Sequence, residues 1–269
     1  MAMRPDGASD RHVTGMRARK VRLDRALVAR GLLPTRSQAE SYVRLGRVTA
    51  HGEVITEPGT LVTEGDRLAL QTADQYVSRA GLKLASVAAA LHVDVADKIV
   101  LDVGSSTGGF TDYALQHGAR KVVAVDIGTR QLHPRLRLDP RIELHEKTDI
   151  LQVVPRGHTM AKNAVMIDPV DIVVADVSFV SLRQLLPHIA RLMRPQAELV
   201  AMVKPQFEAD GAGQKHAGII KNDHVRRDIL KSFEEWARTR FVIVDKADSA
   251  VPGSKGNRER FYLLRPVRP

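Results

Sequence analysis

The sequence of 269 residues contains no cysteine and few aromatic side chains, with a single tryptophan among them. The absence of cysteine excludes disulfide bonds, thiol nucleophiles and zinc–thiolate sites. No apolar run approaches the roughly twenty residues that a membrane-spanning helix needs. The charged N-terminus also lacks the apolar segment of a signal peptide. We therefore expect a cytoplasmic protein that does not bind membranes.

Basic residues, by contrast, are abundant. The formal net charge is +10 and the isoelectric point is about 10.1. Such an excess attracts polyanions, and nucleic acid is the first of these to consider. The surplus is concentrated in residues 11–47, where Asp24 and Glu40 are the only acidic residues. This uneven distribution favours RNA or DNA as a partner over a surface that is merely rich in arginine.

A glycine-rich stretch near the middle of the chain predicts a ligand-binding turn. Residues 99–103 are apolar apart from Asp102, which is typical of a buried central strand. A helical pattern follows three glycines, Gly104, Gly108 and Gly109. Glycine lets the backbone approach a ligand closely, and the start of a helix offers free N–H groups. An ordinary strand-to-helix turn is the alternative.

The acidic residue after the next apolar run indicates the class of ligand. Asp126 follows the turn by about twenty residues, an offset at which a carboxylate accepts both ribose hydroxyls of a nucleotide-like cofactor. The glycine spacing departs from the dinucleotide fingerprint, which argues against an NAD-dependent oxidoreductase. Phe110 follows Gly109 where a P-loop has lysine. A cationic cofactor with a ribose, such as S-adenosylmethionine, suits this acidic turn best.

Strand and helix patterns alternate through the C-terminal two thirds of the chain. The predicted strands are 99–103, 122–126, 141–144, 172–176, 198–203, 241–245 and 260–264. The predicted helices are one that begins near residue 78 and others at about 109–117, 130–138, 181–193 and 223–238. This alternation predicts an α/β fold with a mostly parallel, seven-stranded sheet that is covered by helices on both faces.

Two of the later strands end in polar residues, Asp176 and Lys204. Ligands of a doubly wound sheet bind beyond the carboxyl ends of its strands, so both side chains are expected beside the glycine-rich turn. A buried lysine is costly unless it is paired or used in chemistry. A purely structural ion pair is the alternative.

Residues 21–71 carry a different pattern, that of a small α+β module. Leu23 and Leu27 have helical spacing, and Thr35 has the spacing of a capping residue that begins a second helix. Residues 48–55 predict a hairpin with Gly52 in its turn. Residues 1–20 show no periodicity and predict a flexible basic arm, and residues 72–77 predict a linker.

The small module resembles the S4 RNA-binding domain. The resemblance lies in Arg22-Leu23-Asp24, Ser37-Gln38-Ala39, Gly46-Arg47-Val48 and Glu64-Gly65-Asp66. It implies that arginine side chains bind RNA, because their forked donors match phosphate oxygens. The candidate RNA-binding residues are Arg22, Arg36, Arg44 and Arg47. A solvated surface arginine is the alternative for any one of them.

The chain as a whole resembles the TlyA family, over about residues 21–265. The motifs that carry this resemblance are residues 78–84, 102–111, 176–181 and 204–208. Members of this family, also called haemolysin A-like proteins, are bacterial rRNA 2′-O-methyltransferases. They join an S4 domain to an FtsJ-type, Rossmann-like class I methyltransferase domain, here residues 78–269. Membrane lysis, which the haemolysin name suggests, is not favoured by this sequence.

The resemblance implies site residues, a cofactor and a substrate. The implied catalytic tetrad is Lys83, Asp176, Lys204 and Glu259, with Lys204 as the candidate base and no metal. The resemblance implies that S-adenosylmethionine contacts Gly104, Phe110, Asp126 and Asp149, and the glycine-rich turn adds Asp102, Ser105 and Gly108 as candidate contacts. The implied substrate is the ribose of a cytidine in the RNA of ribosomal subunits. We expect the enzyme to be a monomer. A non-catalytic RNA-binding or ribosome-assembly protein is the alternative from another class.

Overall fold

The computed structural model describes residues 20–71, 76–157, 164–209, 218–253 and 256–267. The chain divides into two compact units between Gln71 and Thr72. Nearly all of the predicted basic arm and most of the predicted linker lie outside the described residues.

The N-terminal unit consists of two helices and short strands. In chain order these are β1 (Val21–Arg22), α1 (Leu23–Ala29), α2 (Arg36–Arg44), β2 (Val48–Ala50), β3 (Glu53–Val54), β4 (Leu61–Val62) and β5 (Leu68–Leu70). Strand β2 pairs with β3 and β5 in an antiparallel sheet, and β1 pairs with β4. The hairpin predicted over 48–55 is therefore present, with Gly52 at a φ of +89° in its turn.

Helices α1 and α2 pack against each other through the residues that their spacing predicts. Leu23 and Leu27 of α1 are fully buried, as is Val43 of α2. The Thr35 side chain accepts a hydrogen bond from the Gln38 backbone N–H at 3.2 Å and so caps the start of α2. This cap satisfies an N–H group that would otherwise lack a partner.

The C-terminal unit is an α/β domain. Its helices are α3 (Arg79–Ala88), α4 (Gly109–Gln116), α5 (Pro134–Arg137), α6 (Leu182–Ile189), α7 (Pro205–Glu208) and α8 (Asp223–Arg238). The strands of its main sheet are β6 (Ile99–Val103), β7 (Lys121–Val125), β8 (Ile142–His145), β11 (Val170–Ala175), β12 (Met193–Val203), β13 (Phe241–Asp248) and β14 (Arg260–Pro266). A separate parallel pair, β9 (Val153–Pro155) and β10 (Val165–Ile167), lies between β8 and β11 in the chain.

The seven strands of the main sheet follow the order β13-β14-β12-β11-β6-β7-β8. Strands β6, β7, β8, β11 and β12 run parallel, whereas β14 is antiparallel to both β12 and β13. The mostly parallel, seven-stranded sheet predicted from the sequence is confirmed. Its central strands are buried on both faces, as their near-continuous apolar runs predict.

Two helices are shorter than their patterns predict. Helix α5 begins at Pro134 rather than near residue 130, because the residues before it form a loop around Asp126. Helix α6 ends at Ile189 and a 3-10 turn follows, because β12 already begins at Met193, which pairs with Val170. In the described part of the chain, no helix has the length and apolar character needed to cross a bilayer.

Candidate functional site

The glycine-rich turn between β6 and α4 requires glycine at specific positions. Gly104 has a φ of +81°, and a Cβ atom there would lie 2.5 Å from the carbonyl oxygen of Asp176. A Cβ atom on Gly109 would lie 2.4 Å from Ser78 Oγ and 2.7 Å from the Gly81 nitrogen, at the start of α3. The glycines therefore let the turn approach both the end of β11 and the helix that carries Lys83.

The Asp126 carboxylate organises the cofactor side of this turn. One of its oxygens accepts a hydrogen bond from the Ser106 N–H at 2.8 Å, and the other accepts one from the Gly128 N–H at 2.6 Å. Each carboxylate oxygen keeps further lone pairs that can accept hydroxyl donors. Asp126 thus closes the turn and still presents an acceptor to a ligand.

A cavity of about 710 Å³ opens at the carboxyl ends of β6, β7 and β11. Three of the seven predicted cofactor residues line it: Gly104, Asp126 and Asp149. The other four lie behind its wall: Asp102, Ser105, Gly108 and Phe110. These four can shape the turn but do not face the cavity. Phe110, for example, is buried and packs against Phe261, with ring centroids 6.0 Å apart.

The cavity wall also contains apolar residues that the sequence analysis did not single out. Ile127 and Leu151 line it with 73% and 48% of their surface exposed. Exposed apolar side chains beside carboxylates suit a ligand that combines a flat aromatic base, a ribose and a positive charge. The residues present therefore fit S-adenosylmethionine. Ile127 directly follows Asp126 in the sequence, and this position could have identified Ile127 as a residue of the cavity.

Asp102 has a different environment from the acidic residues of the cavity. It is 1% exposed, and its Oδ2 accepts a hydrogen bond from Thr111 Oγ1 at 2.6 Å. Burial, together with the charge of Asp176, raises its pKa to about 7 against the Thr111 hydrogen bond. Asp102 is thus a buried group behind the turn rather than a ligand-facing carboxylate.

The four predicted catalytic residues form two short ion pairs. Lys204 Nζ lies 2.6 Å from Asp176 Oδ1, and Lys83 Nζ lies 2.6 Å from Glu259 Oε2. No more than 18% of any of these side chains is exposed. The attraction within each pair offsets part of the cost of desolvating its two charges.

The sheet brings both pairs to the same edge. Val203 of β12 pairs with Arg260 of β14, so Lys204 and Glu259 directly adjoin one cross-strand pair. Asp176 follows β11, and its N–H donates to the Val103 carbonyl at the end of β6. All four residues therefore lie at the edge that carries the glycine-rich turn.

Residues 176–181, the loop after β11, add contacts that the sequence analysis did not identify. Lys204 Nζ donates a hydrogen bond to Ser178 Oγ at 2.7 Å. Phe179 is 91% exposed, has a φ of +67° and lies 5.3 Å from the ring centroid of Phe207. A φ above zero is strained for a phenylalanine, and such strain is common at functional loops.

The candidate RNA-binding arginines of the N-terminal unit differ in their partners. Arg22 and Arg36 both donate hydrogen bonds to the buried Asp24, at 2.8 and 3.0 Å. The Arg44 side chain is exposed and has neither an ion pair nor a hydrogen bond within the described residues. Arg47 is half-buried, and its Nη1 has no hydrogen-bond partner among them. Arg44 is therefore the most available to an external phosphate.

The family to which this chain belongs follows from comparison with known proteins. The model of the FtsJ-like methyltransferase family matches residues 76–265, and that of the S4 domain matches residues 21–68. The chain belongs to the FtsJ-like methyltransferases. It is therefore an S-adenosylmethionine-dependent enzyme with an S4 domain in its N-terminal unit, and the non-catalytic alternative falls away.

Similar proteins extend along nearly the whole chain. A Bacillus subtilis protein named "Putative rRNA methyltransferase YqxC" is 37% identical and spans 93% of this chain and 86% of its own. The 16S/23S rRNA (cytidine-2'-O)-methyltransferase TlyA of Mycobacterium tuberculosis is 36% identical over 92% of this chain and 91% of its own. A solved structure named "Putative hemolysin from Streptococcus thermophilus" is 34% identical, with a TM-score of 0.63 over 92% of this chain and 89% of its own. These matches confirm the resemblance to the TlyA family.

Proposed function

We propose that this methyltransferase modifies the ribose 2′-hydroxyl of a cytidine in ribosomal RNA. The observation that carries the proposal is the placement of two lysine–carboxylate pairs at the sheet edge that carries the cavity, which Asp176 lines and which fits S-adenosylmethionine. The Mycobacterium tuberculosis relative is named for this reaction. The S4 domain and the basic charge of the chain support RNA as the substrate.

The two pairs divide the work at the ribose oxygen. When bound, S-adenosylmethionine supplies an electrophilic methyl group. Lys204 acts as the base that accepts the proton of the 2′-hydroxyl, and Asp176 and Ser178 stabilise the ammonium that results. Lys83, held by Glu259, donates a hydrogen bond that orients the same oxygen. Positioning of the reacting atoms supplies most of the rate.

The two units have separate tasks in this proposal. Residues 21–71 bind the RNA through Arg22, Arg36, Arg44 and Arg47, residues 78–269 carry out the reaction, and residues 72–77 join them. We propose that the enzyme works as a monomer, because the cavity and both lysine–carboxylate pairs are formed within a single methyltransferase unit. Ribosomal RNA as the substrate supports a cytoplasmic location.

The test is methyl transfer to ribosomal RNA from a strain that lacks the gene. We expect tritium from labelled S-adenosylmethionine to enter a cytidine whose 3′ linkage then resists alkali, as a 2′-O-methyl group requires. The Lys204→Ala variant should lose at least about a hundredfold in rate, because it lacks the general base. Its dissociation constant for S-adenosylmethionine, measured by calorimetry, should stay near that of the wild type. Lys231→Ala is the matched control, since Lys231 is 77% exposed on α8.

Two outcomes contradict the proposal in different ways. Absence of methyl transfer by the wild-type enzyme, despite cofactor binding, would show that the substrate is not this RNA. Full activity of the Lys204→Ala variant would show that Lys204 is not the base.

A further inference from the structure

Two segments meet beside the proposed base. The first is the aspartate loop, residues 176–181, between β11 and α6. The second is the lysine segment, residues 204–208, which consists of Lys204 and the short helix α7. Where these two segments meet at the proposed site of reaction, Lys204 pairs with Asp176 and Ser178.

Glu208 joins the far ends of the same two segments. Its Oε2 accepts a hydrogen bond from Ser181 Oγ at 2.6 Å, and its Oε1 accepts one from the Leu182 N–H at 2.7 Å. The guanidinium Nε of Arg183 lies 3.4 Å from Oε2. Ser181 and Leu182 are the capping residue and the first residue of α6. Glu208 thus ties α7 to the point where the aspartate loop enters α6.

Because Glu208 is buried, its carboxylate depends on the hydrogen bonds from Ser181 and Leu182. Only 1% of the residue is exposed, and an ionised carboxylate at such a site is stable only when donors surround it. Glu208 does not line the cavity. Its partners in the described residues therefore belong to the aspartate loop and the start of α6, and its effect on the reaction must pass through them.

The aspartate loop needs anchors at both ends because its middle is strained. Phe179 has a φ of +67°, a conformation that costs a non-glycine residue of order 1–3 kcal/mol. A strained loop relaxes when an anchor is removed. Relaxation here would move Asp176 and Ser178 away from Lys204.

We propose that Glu208 is a positioning residue for methyl transfer. By fixing the aspartate loop against the lysine segment, it holds Asp176 and Ser178 at hydrogen-bond distance from Lys204 Nζ. This inference rests on the proposed function, because it takes Lys204 to be the base. Glu208 itself touches neither the ribose nor the cofactor.

The experiment compares Glu208→Ala and Glu208→Gln with a matched control, Glu234→Gln. Glu234 is also a buried glutamate, at 8% exposed, but it binds Tyr262 and Lys246, outside both segments. For each full-length variant we would measure kcat and KM on ribosomal RNA, the affinity for S-adenosylmethionine, and the pH–rate profile.

Glu208→Ala should lower kcat by about a hundredfold, because a misplacement of about 1 Å has that effect. KM and the cofactor affinity should change little. The limb of the pH–rate profile that reports the base should shift, because Lys204 loses the fixed carboxylate and hydroxyl beside it. Glu208→Gln should recover much of kcat, since its amide can still accept from Leu182 and donate to Ser181. Glu234→Gln should leave both kcat and the profile unchanged.

Several results would overturn the proposal. One is a wild-type kcat and pH profile in Glu208→Ala. Another is a loss of activity that equals the loss of folded protein, together with an unchanged pH–rate profile. Such a result would indicate that Glu208 has a purely structural role. If Glu208→Ala does not fold, Ser181→Ala removes one donor of the same tie, and an unchanged kcat and profile in that variant would also refute the proposal. An inactive wild-type enzyme would overturn the proposed function as well, whereas unaffected variants of an active enzyme overturn this inference alone.

Discussion

Among the described residues, each unit of the protein has one aspartate that is no more than 1% exposed, and the two behave in opposite ways. Asp24 of the N-terminal unit is 0% exposed and Asp102 of the methyltransferase unit is 1% exposed. Burial opposes ionisation of Asp24, but hydrogen bonds from Arg22 and Arg36 outweigh it and lower its pKa to about 2. Within the described part of the chain Asp102 has no such cation, and burial raises its pKa to about 7. Partners, rather than burial, decide the charge of a buried carboxyl group.

This difference separates the basic residues that stabilise the fold from those that can bind a ligand. Arg22 and Arg36 hold Asp24 in the folded N-terminal unit, so part of their positive charge serves stability. Lys83 and Lys204 are also paired with carboxylates, but at the sheet edge that carries the cavity, and Asp176 of the second pair lines that cavity. Arg44 is exposed and serves no partner among the described residues. The comparison therefore predicts which substitutions affect folding and which affect binding.

The largest effect is expected for Asp102→Asn. Between its ordinary pKa of 3.8 and about 7, Asp102 keeps a proton in the folded state that the unfolded chain releases. Its contribution to the free energy of unfolding therefore falls as pH rises through this window, by up to about 1.4 kcal/mol for each pH unit. An asparagine cannot ionise, so the variant should gain stability relative to the wild type as pH rises.

Hydrogen exchange of the amides in β6 and α4, followed across this pH window, would measure the gain. Parallel curves for Asp102→Asn and the wild type would show that Asp102 is already ionised in the folded protein.

Asp24→Asn should lower the free energy of unfolding, which is the opposite of the effect expected for Asp102→Asn. The ionised carboxylate accepts charge-assisted hydrogen bonds from two arginines, and their loss should destabilise the N-terminal unit by about 2 kcal/mol at neutral pH. The stabilisation is present above the ordinary pKa of 3.8 and is lost as pH falls towards about 2, so the difference from the wild type should shrink there.

Hydrogen exchange of the amides in α1 and α2 is the measurement for this variant. Glu53→Gln, an exposed position on β3, is the control and should change little. A destabilisation by Asp24→Asn that stays constant down to the lowest pH would contradict an ionised Asp24.

Arg44→Ala should have the smallest effect, and only on RNA binding. If Arg44 contacts one phosphate, its removal should weaken binding a few-fold and reduce the slope of log affinity against log salt by about one. The stability of the N-terminal unit should not change. Arg36→Ala should weaken RNA binding too, but it should also destabilise α1 and α2, because it removes a donor to Asp24.

Salt-dependent binding of a ribosomal RNA fragment, with hydrogen exchange of the same variants, separates the two arginines. An unchanged salt slope for Arg44→Ala would remove Arg44 from the RNA-binding surface.

Much of the fold could be predicted from local pattern. The seven strands of the main sheet, the hairpin at Gly52 and the cap at Thr35 follow from apolar runs and turn residues whose effects act over a few positions. The extent of α5 could not be predicted, because Asp126 draws the preceding residues into a loop. The β9–β10 pair could not be predicted either, because its short strands depend on pairing with each other and on the packing of Val153 and Ile167 into the core.

The sequence by itself determined the α/β fold, the basic N-terminal module and the residue types of the site, because these depend on composition, periodicity and order along the chain. Only the tertiary structure decided which side chains pair with each other. It joined Lys83 to Glu259 across 176 positions, put Ser178 against Lys204, and placed Asp102 behind the turn. Such contacts, and the charges they set, depend on the register of the strands and on burial in three dimensions, which no local stretch of sequence contains.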